Sequence, residues 1–193
     1  LMPILEFRAV GVGAALDLAV PPGQPGTVAA AGSAAVAVYD EGVKRGPSVY
    51  RVNAIEFSGS ATRVYGYDNR DSGFLYSRMN VDSSGVSLLE TTQDLVTGFN
   101  VDIRYDRGRM FTSNGVVIDP ETRTRIGSFP GNASTSKVVA PDPVTARVYL
   151  LKQPSSYTLA ACDRETLSEL GSLALPTDLA YYTGSLIRWG LNG

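Results

Sequence analysis

The sequence predicts an all-β protein assembled from four-stranded antiparallel units that recur with a mean period of 41 residues, and three observations carry that reading. Twenty glycines and 11 prolines are spread along 193 residues, and the apolar residues between them fall in short runs with β-branched and aromatic members. A second observation is an internal copy. Val117-Ile118-Asp119-Pro120-Glu121-Thr122 and the six residues after it align without a gap on Ala161-Cys162-Asp163-Arg164-Glu165-Thr166 and its continuation, with Asp, Glu-Thr and Gly-Ser coinciding. Weaker copies surround Asp40 and Asp82, so that Asp40, Asp82, Asp119 and Asp163 are spaced by 42, 37 and 44 residues. The third is a marker upstream of each aspartate: a small residue, an arginine, an apolar residue and an aromatic. It places Arg63, Arg109 and Arg147 at one point of the repeat, with Gly26-Thr27-Val28-Ala29 as a degenerate first copy.

Each element follows from local chemistry. In the first unit, about 14–50, strands are expected over 16–20, 27–31, 35–39 and 43–45. The second, 51–97, has candidates at 54–58, 63–67, 74–81 and 86–91. In the third, 98–134, the strands are 101–105, 109–112, 116–119 and 124–129, and Asn114-Gly115 signals a two-residue type I′ hairpin with positive φ at both positions. The fourth, 135–176, reads as 137–140, 147–152, 157–161 and 167–173, and 177–193 reads as the start of a further unit. Aspartate recurs where the third strand ends because its carboxylate accepts bonds from amides ahead of it. Four short strands at this period fit the blade of a β-propeller in a single domain spanning 1–193, with a β-sandwich as the competing all-β architecture.

Composition narrows the chemistry. The chain has no histidine and one cysteine, which excludes a histidine-dependent triad or proton shuttle within it and leaves only oxygen ligands for a metal. A net charge of −2 gives no electrostatic basis for nucleic acid as a partner. No run of about 18 apolar residues occurs, so no membrane span is expected.

Arg147-Val148-Tyr149-Leu150-Leu151 following Val139-Ala140-Pro141-Asp142, and Met110-Phe111-Thr112-Ser113-Asn114 leading into Val116 to Thr122, resemble the YVTN-type, lactonase-like β-propeller repeat. The similarity covers 54–173 reasonably and 16–45 weakly, and the Pro-Asp turn is clear only at Pro141-Asp142. The resemblance implies a propeller fold, an exported or envelope-associated bacterial protein at an extracellular or cell-envelope location, and lactonase activity in some relatives. No lactonase motif transfers residue by residue.

At a 41-residue period the chain holds four units and two loose ends, with 4–10 and 186–193 reading as partial strands and Leu1 as the first residue. Most propellers have more blades. An incomplete set of blades leaves apolar faces and edges to be covered by a protein partner, either the missing blades of a longer chain or a second copy.

Candidate sites are few. Asp17, Glu56 and Asp102 sit near the same point of the first strand in three units, and a ring of carboxylates there would hold Ca²⁺, the one cofactor the sequence suggests; the bland alternative is pairing with arginine or solvent. Asp68-Asn69-Arg70-Asp71-Ser72-Gly73 fails the calcium-loop pattern and reads as an extended turn. Asn132-Ala133-Ser134 matches a glycosylation acceptor, Tyr65, Tyr67, Tyr76, Tyr149 and Tyr157 are expected to fill layers between sheets, Cys162 to be buried, and Trp189 to pack at a junction. The leading functional expectation is a non-catalytic binding or scaffold module. A propeller lactonase-like hydrolase using Asp17, Glu56, Asp102 and a divalent cation is the alternative, and an architectural subunit of an extracellular assembly a third.

Overall fold

The computed structural model describes residues 11–130, 136–153, 157–176 and 186. Among these residues all regular structure is strand, in four antiparallel sheets. The first holds β1 (Ala15–Ala19), β2 (Thr27–Gly32), β3 (Ala35–Asp40), and an outer strand broken into β4 (Val43–Lys44) and β5 (Val49–Tyr50), both paired with β3. Pro47 lies in the break, where its missing N–H cannot continue the ladder. The second sheet runs β6 (Ala54–Phe57), β7 (Arg63–Tyr67), β8 (Leu75–Asp82), β9 (Gly85–Gln93), in chain order. The third is β10 (Ile103–Asp106), β11 (Arg109–Thr112), β12 (Val116–Asp119), β13 (Thr124–Ser128), and the fourth β14 (Ser136–Asp142), β15 (Arg147–Lys152), β16 (Thr158–Asp163), β17 (Glu169–Ala174). The partial strands expected over 4–10 and 186–193 lie, Leu186 apart, outside the described residues, as do Trp189 and Asn132-Ala133-Ser134.

The chain forms two compact units, Leu1–Asp68 with Leu75–Gln93, and Asn69–Phe74 with Asp94–Gly193. In the first unit the face of sheet one carrying Ala19, Ala29, Ala31, Val36 and Val38 packs on Ile55, Phe57, Val64 and Met79 of sheet two. Alanines on the one side admit larger aliphatic side chains from the other. In the second unit Phe111, Val117 and Phe129 of the third sheet and its outer connection pack on Val139, Val148, Leu150 and Cys162 of the fourth. Cys162 is buried as a small apolar residue, and burial pushes its thiol pKa up.

One turn expectation changes. Asn114-Gly115 is not a type I′ pair: only Gly115 has positive φ, 83°, and its N–H donates to the Thr112 carbonyl at 2.8 Å in a three-residue loop. The Asn114 side chain instead accepts from Thr112 Oγ1 at 2.5 Å and donates to the Thr97 carbonyl at 2.7 Å, which holds Asn114 outside the left-handed region. Positive φ at both positions occurs at Glu41-Gly42 (45° and 85°) and Arg107-Gly108 (45° and 83°).

A β-bulge recurs at one register point of the outer strand. It opposes Arg78/Met79, Val117/Ile118 and Ala161/Cys162, leaving Leu89, Ile126 and Leu170 as the extra, exposed residues. Bulges raise local twist and blunt an edge against further pairing.

Gly66 is closed in by buried apolar side chains, because a Cβ there would lie 2.3 Å from Val52 Cγ1 and 2.8 Å from Met79 Cε. Gly66→Ala is expected to cost about 1–3 kcal/mol in urea unfolding. Gly171→Ala, with nothing within 4 Å, is expected to stay within about 0.5 kcal/mol of the parent.

Candidate functional site

The repeated aspartates sit at the turns closing the third and fourth strands. Asp119 Oδ1 accepts from the amides of Glu121 and Thr122, both at 2.9 Å. Asp163 Oδ1 accepts from the amides of Glu165 (2.9 Å) and Thr166 (2.7 Å), which lowers its pKa. Asp142, between the first and second strands of the fourth sheet, does the same with Val144 at 2.9 Å and Thr145 at 3.4 Å. All three begin an Asp-x-x-Thr run followed by a residue in the left-handed region: Arg123 (φ 58°), Ala146 (54°) and Leu167 (59°). Asp142 was absent from the expected set although its Asp-Pro-Val-Thr run is legible in the sequence.

Asp40 and Asp82 depart from this pattern. The Asp40 carboxylate receives no amide from its turn; Arg45 donates to it through Nε (2.6 Å) and Nη2 (2.7 Å), and Thr27 Oγ1 at 2.6 Å. These bonds, Arg45 foremost, hold its pKa at about 2 against an ordinary 3.8. Asp82 bonds Ser84 N (2.8 Å) and Oγ (2.6 Å), but it lies two residues beyond the repeat position. The ladder sets Asn80 opposite Arg63, as it sets Asp40 opposite Thr27 and Asp163 opposite Arg147.

The arginines differ among themselves. Arg109 donates to the Arg164 carbonyl and to Glu165 Oε2, both at 2.5 Å, tying the third sheet to a turn of the fourth. Arg164 returns the tie to Asp106 at 2.8 Å, in a pair whose side chains are 13% and 11% exposed. Arg63 instead reaches the Met79 carbonyl of its own sheet at 3.5 Å, and Arg147 is exposed. In the first unit the inter-sheet tie comes from Arg45, whose Nη1 donates to the Asp82 carbonyl at 2.8 Å. Arg45 and Arg164 lie outside the repeated marker, so the spacing that finds Arg109 cannot find them.

Asp17 and Asp102 hold equivalent register positions, opposite Ala31 and next to Ser113, while Glu56 stands opposite Tyr65, two positions further along its strand. Asp17 accepts from the amides of Leu18 (2.9 Å) and Ile55 (2.8 Å), so it joins sheet one to sheet two. Asp102 accepts from the Ile103 amide at 2.9 Å and from Arg104 at 2.9 and 3.0 Å; burial raises its pKa against the pull of Arg104. Among the described residues no three His, Cys, Asp or Glu side chains could hold a metal ion together.

The polar loop after Asp68 is anchored rather than free. Asp68 is buried and accepts from Asn53 Nδ2 at 3.3 Å, Asn69 Nδ2 donates to the Val101 carbonyl at 2.9 Å, and Asp71 accepts from the Gly73 amide at 3.1 Å. Tyr65, Tyr67, Tyr76 and Tyr157 are buried, with Tyr65 and Tyr76 stacked at 6.2 Å, whereas Tyr149 is half-buried. Tyr149 lines a groove of about 240 Å³ on the fourth sheet with Leu159, Ala161, Gly171, Ser172 and Leu173. A second groove of about 350 Å³ lies between Pro47–Tyr50 and Val86–Leu88 in the first unit. Ser134-Thr135-Ser136-Lys137 matches Ser-x-x-Lys, a catalytic run in acyl-transfer enzymes, but its side chains lie outside the described residues. No helix among the described residues is long and apolar enough to cross a membrane.

No family model and no curated protein matches the chain. Solved structures do. The chain superposes on hydrazine synthase of Kuenenia stuttgartiensis with a TM-score of 0.66 at 10% identity, over 91% of this chain and 52% of that one. On a chain of a mitotic checkpoint complex the TM-score is 0.60 at 14% identity, over 88% of this chain and 56% of that one. These neighbours are β-propeller proteins, and the four sheets are propeller blades. The chain spans about half the length of the solved chains it matches.

Three predictions come from the charged ties. Asp40 is ionised and bonded in the fold, so its contribution to stability is complete above pH 3.8 and is lost as pH falls through about 2. Asp40→Asn is expected to lower the urea midpoint at neutral pH, with the gap to the parent closing over that acid range. Arg164→Met, which strands the largely covered Asp106 carboxylate, is expected to cost about 3 kcal/mol by the same assay. Glu165→Gln, at an exposed carboxylate, is expected to cost less than about 1 kcal/mol.

Proposed function

We propose that the chain is a non-catalytic binding and scaffold module of the YVTN-type propeller class, belonging to an exported protein of the extracellular space or cell envelope and partnered by protein. The observation that supports it most is the exposed apolar surface of sheets one and four. Leu16, Leu18 and Val20 on sheet one and Leu173 on sheet four are exposed beside half-buried apolar neighbours, a surface suited to protein contact. The acidic and basic repeat residues support the same reading, because Asp119, Asp163 and Arg109 are engaged in turns and sheet-to-sheet ties. The YVTN resemblance of 110–122 and 139–151 supports the class and the location.

The test is a lactone panel assayed with the full chain in the presence and absence of Ca²⁺. Hydrolysis at the buffer rate in both is the expected result. Saturable turnover that is lost in Asp17→Asn or Asp102→Asn would overturn the reading in favour of a hydrolase.

A further inference from the structure

We propose that Asn114 is a deamidation site held closed by the fold, so that opening of the loop between β11 and β12 is recorded as an irreversible chemical change. The inference goes beyond the scaffold reading and does not depend on it.

The sequence supplies the chemistry. An asparagine followed by glycine is the most reactive setting for its side chain, because residue 115 carries no Cβ to shield its main-chain nitrogen. That nitrogen, deprotonated by hydroxide, attacks Asn114 Cγ. The new N–Cγ bond closes a five-membered succinimide, the Cγ–Nδ2 bond breaks, and Nδ2 takes a proton from water and leaves as ammonia. Water then opens the ring at either carbonyl, giving aspartate or isoaspartate. Water and hydroxide are the only co-reactants. The chain has two Asn-Gly pairs, and the other, Asn192-Gly193, lies outside the described residues.

The fold blocks the attack at both ends. The Gly115 N–H donates to the Thr112 carbonyl at 2.8 Å, so the proton of the nucleophile is engaged in closing the loop. The carboxamide under attack is held on two partners: Oδ1 accepts from Thr112 Oγ1 at 2.5 Å, and Nδ2 donates to the Thr97 carbonyl at 2.7 Å. Thr112 is 0% exposed and its hydroxyl also accepts from the Val116 amide at 2.9 Å, so the anchor is itself fixed. Swinging Cγ onto the Gly115 nitrogen breaks both carboxamide bonds and the loop-closing bond together.

The product does not fit the same contacts. A carboxylate has no N–H for the Thr97 carbonyl and sets two acceptors face to face, which releases the segment leading into β10. Isoaspartate also adds a methylene to the main chain of the loop that the bond from Gly115 to Thr112 closes. Unfolding thereby becomes a lasting loss of stability.

The experiment incubates the full chain in mildly alkaline buffer, with and without urea above its unfolding midpoint, and follows the tryptic peptide 110–123 by mass spectrometry. Asn114 is the one carboxamide residue in that peptide, so its mass gain reports this site apart from Asn192. Deamidation in urea is expected to be about a hundredfold faster than in the native buffer, because only the open loop reacts. Thr112→Val removes the hydroxyl and keeps the branched shape; it is expected to raise the native rate about tenfold and leave the rate in urea unchanged. Circular dichroism and the urea midpoint show whether that variant is folded, and the parent in its two buffers carries the test in either case. Asn114→Asp is expected to lower the urea midpoint. Equal rates with and without urea overturn the inference, as does a peptide that stays unmodified in urea. A folded Thr112→Val that deamidates at the native rate of the parent overturns the clamp, and a parent-like midpoint for Asn114→Asp overturns the loss of stability.

Discussion

Sheet-on-sheet packing is the constraint on which the other features depend. A sheet covered on both faces must be apolar at consecutive positions, and β2 and β3 meet that demand with Ala29, Ala30, Ala31, Val36, Ala37 and Val38, all buried. Small side chains on sheet one let Ile55, Phe57 and Met79 approach from sheet two; in the second unit the bulk is reversed, with Phe111 and Phe129 meeting Val139, Val148 and Cys162. The contact is kept in both units while the side chains that fill it change.

Charged groups are arranged around this contact. Arg45 reaches the carbonyl of Asp82, and Arg109 that of Arg164, each crossing from one sheet to a turn of the next. Asp17 performs the same service from a strand by accepting the Ile55 amide. These groups lock the angle between sheets that apolar packing alone leaves loosely specified, since burial is non-directional and hydrogen bonds are not. A carboxylate that reads in the sequence as a metal ligand is, at Asp17, a connector.

Repetition made the strands legible. Period-2 patterning and turn chemistry placed the second strands closely, 27–32, 63–67, 109–112 and 147–152, because a polar residue opens each and apolar residues follow. The outer strand of sheet one was harder, since Pro47 splits it and only two short pairings remain. Asp82 misled the alignment: it caps a turn as Asp119 does, yet the ladder places Asn80 at the repeat position, and a spacing count cannot distinguish a cap from a register. The bulges at Leu89, Ile126 and Leu170 were also hidden, because an extra residue in one strand shows only when its partner is known.

By itself the sequence determined the all-β class, the period, the four-stranded unit and the Asp-x-x-Thr turns, all of which depend on neighbours a few residues apart. Tertiary structure decided what those residues do across longer distances. It separated Glu56 from the register of Asp17 and Asp102, and gave Arg45 the tie that Thr27 cannot make. It left Leu18 and Val20 exposed at positions that sheet two buries. The physical reason is that hydrogen-bonded turns are local, whereas the cover of a sheet face and the reach of an arginine depend on which other strand stands opposite.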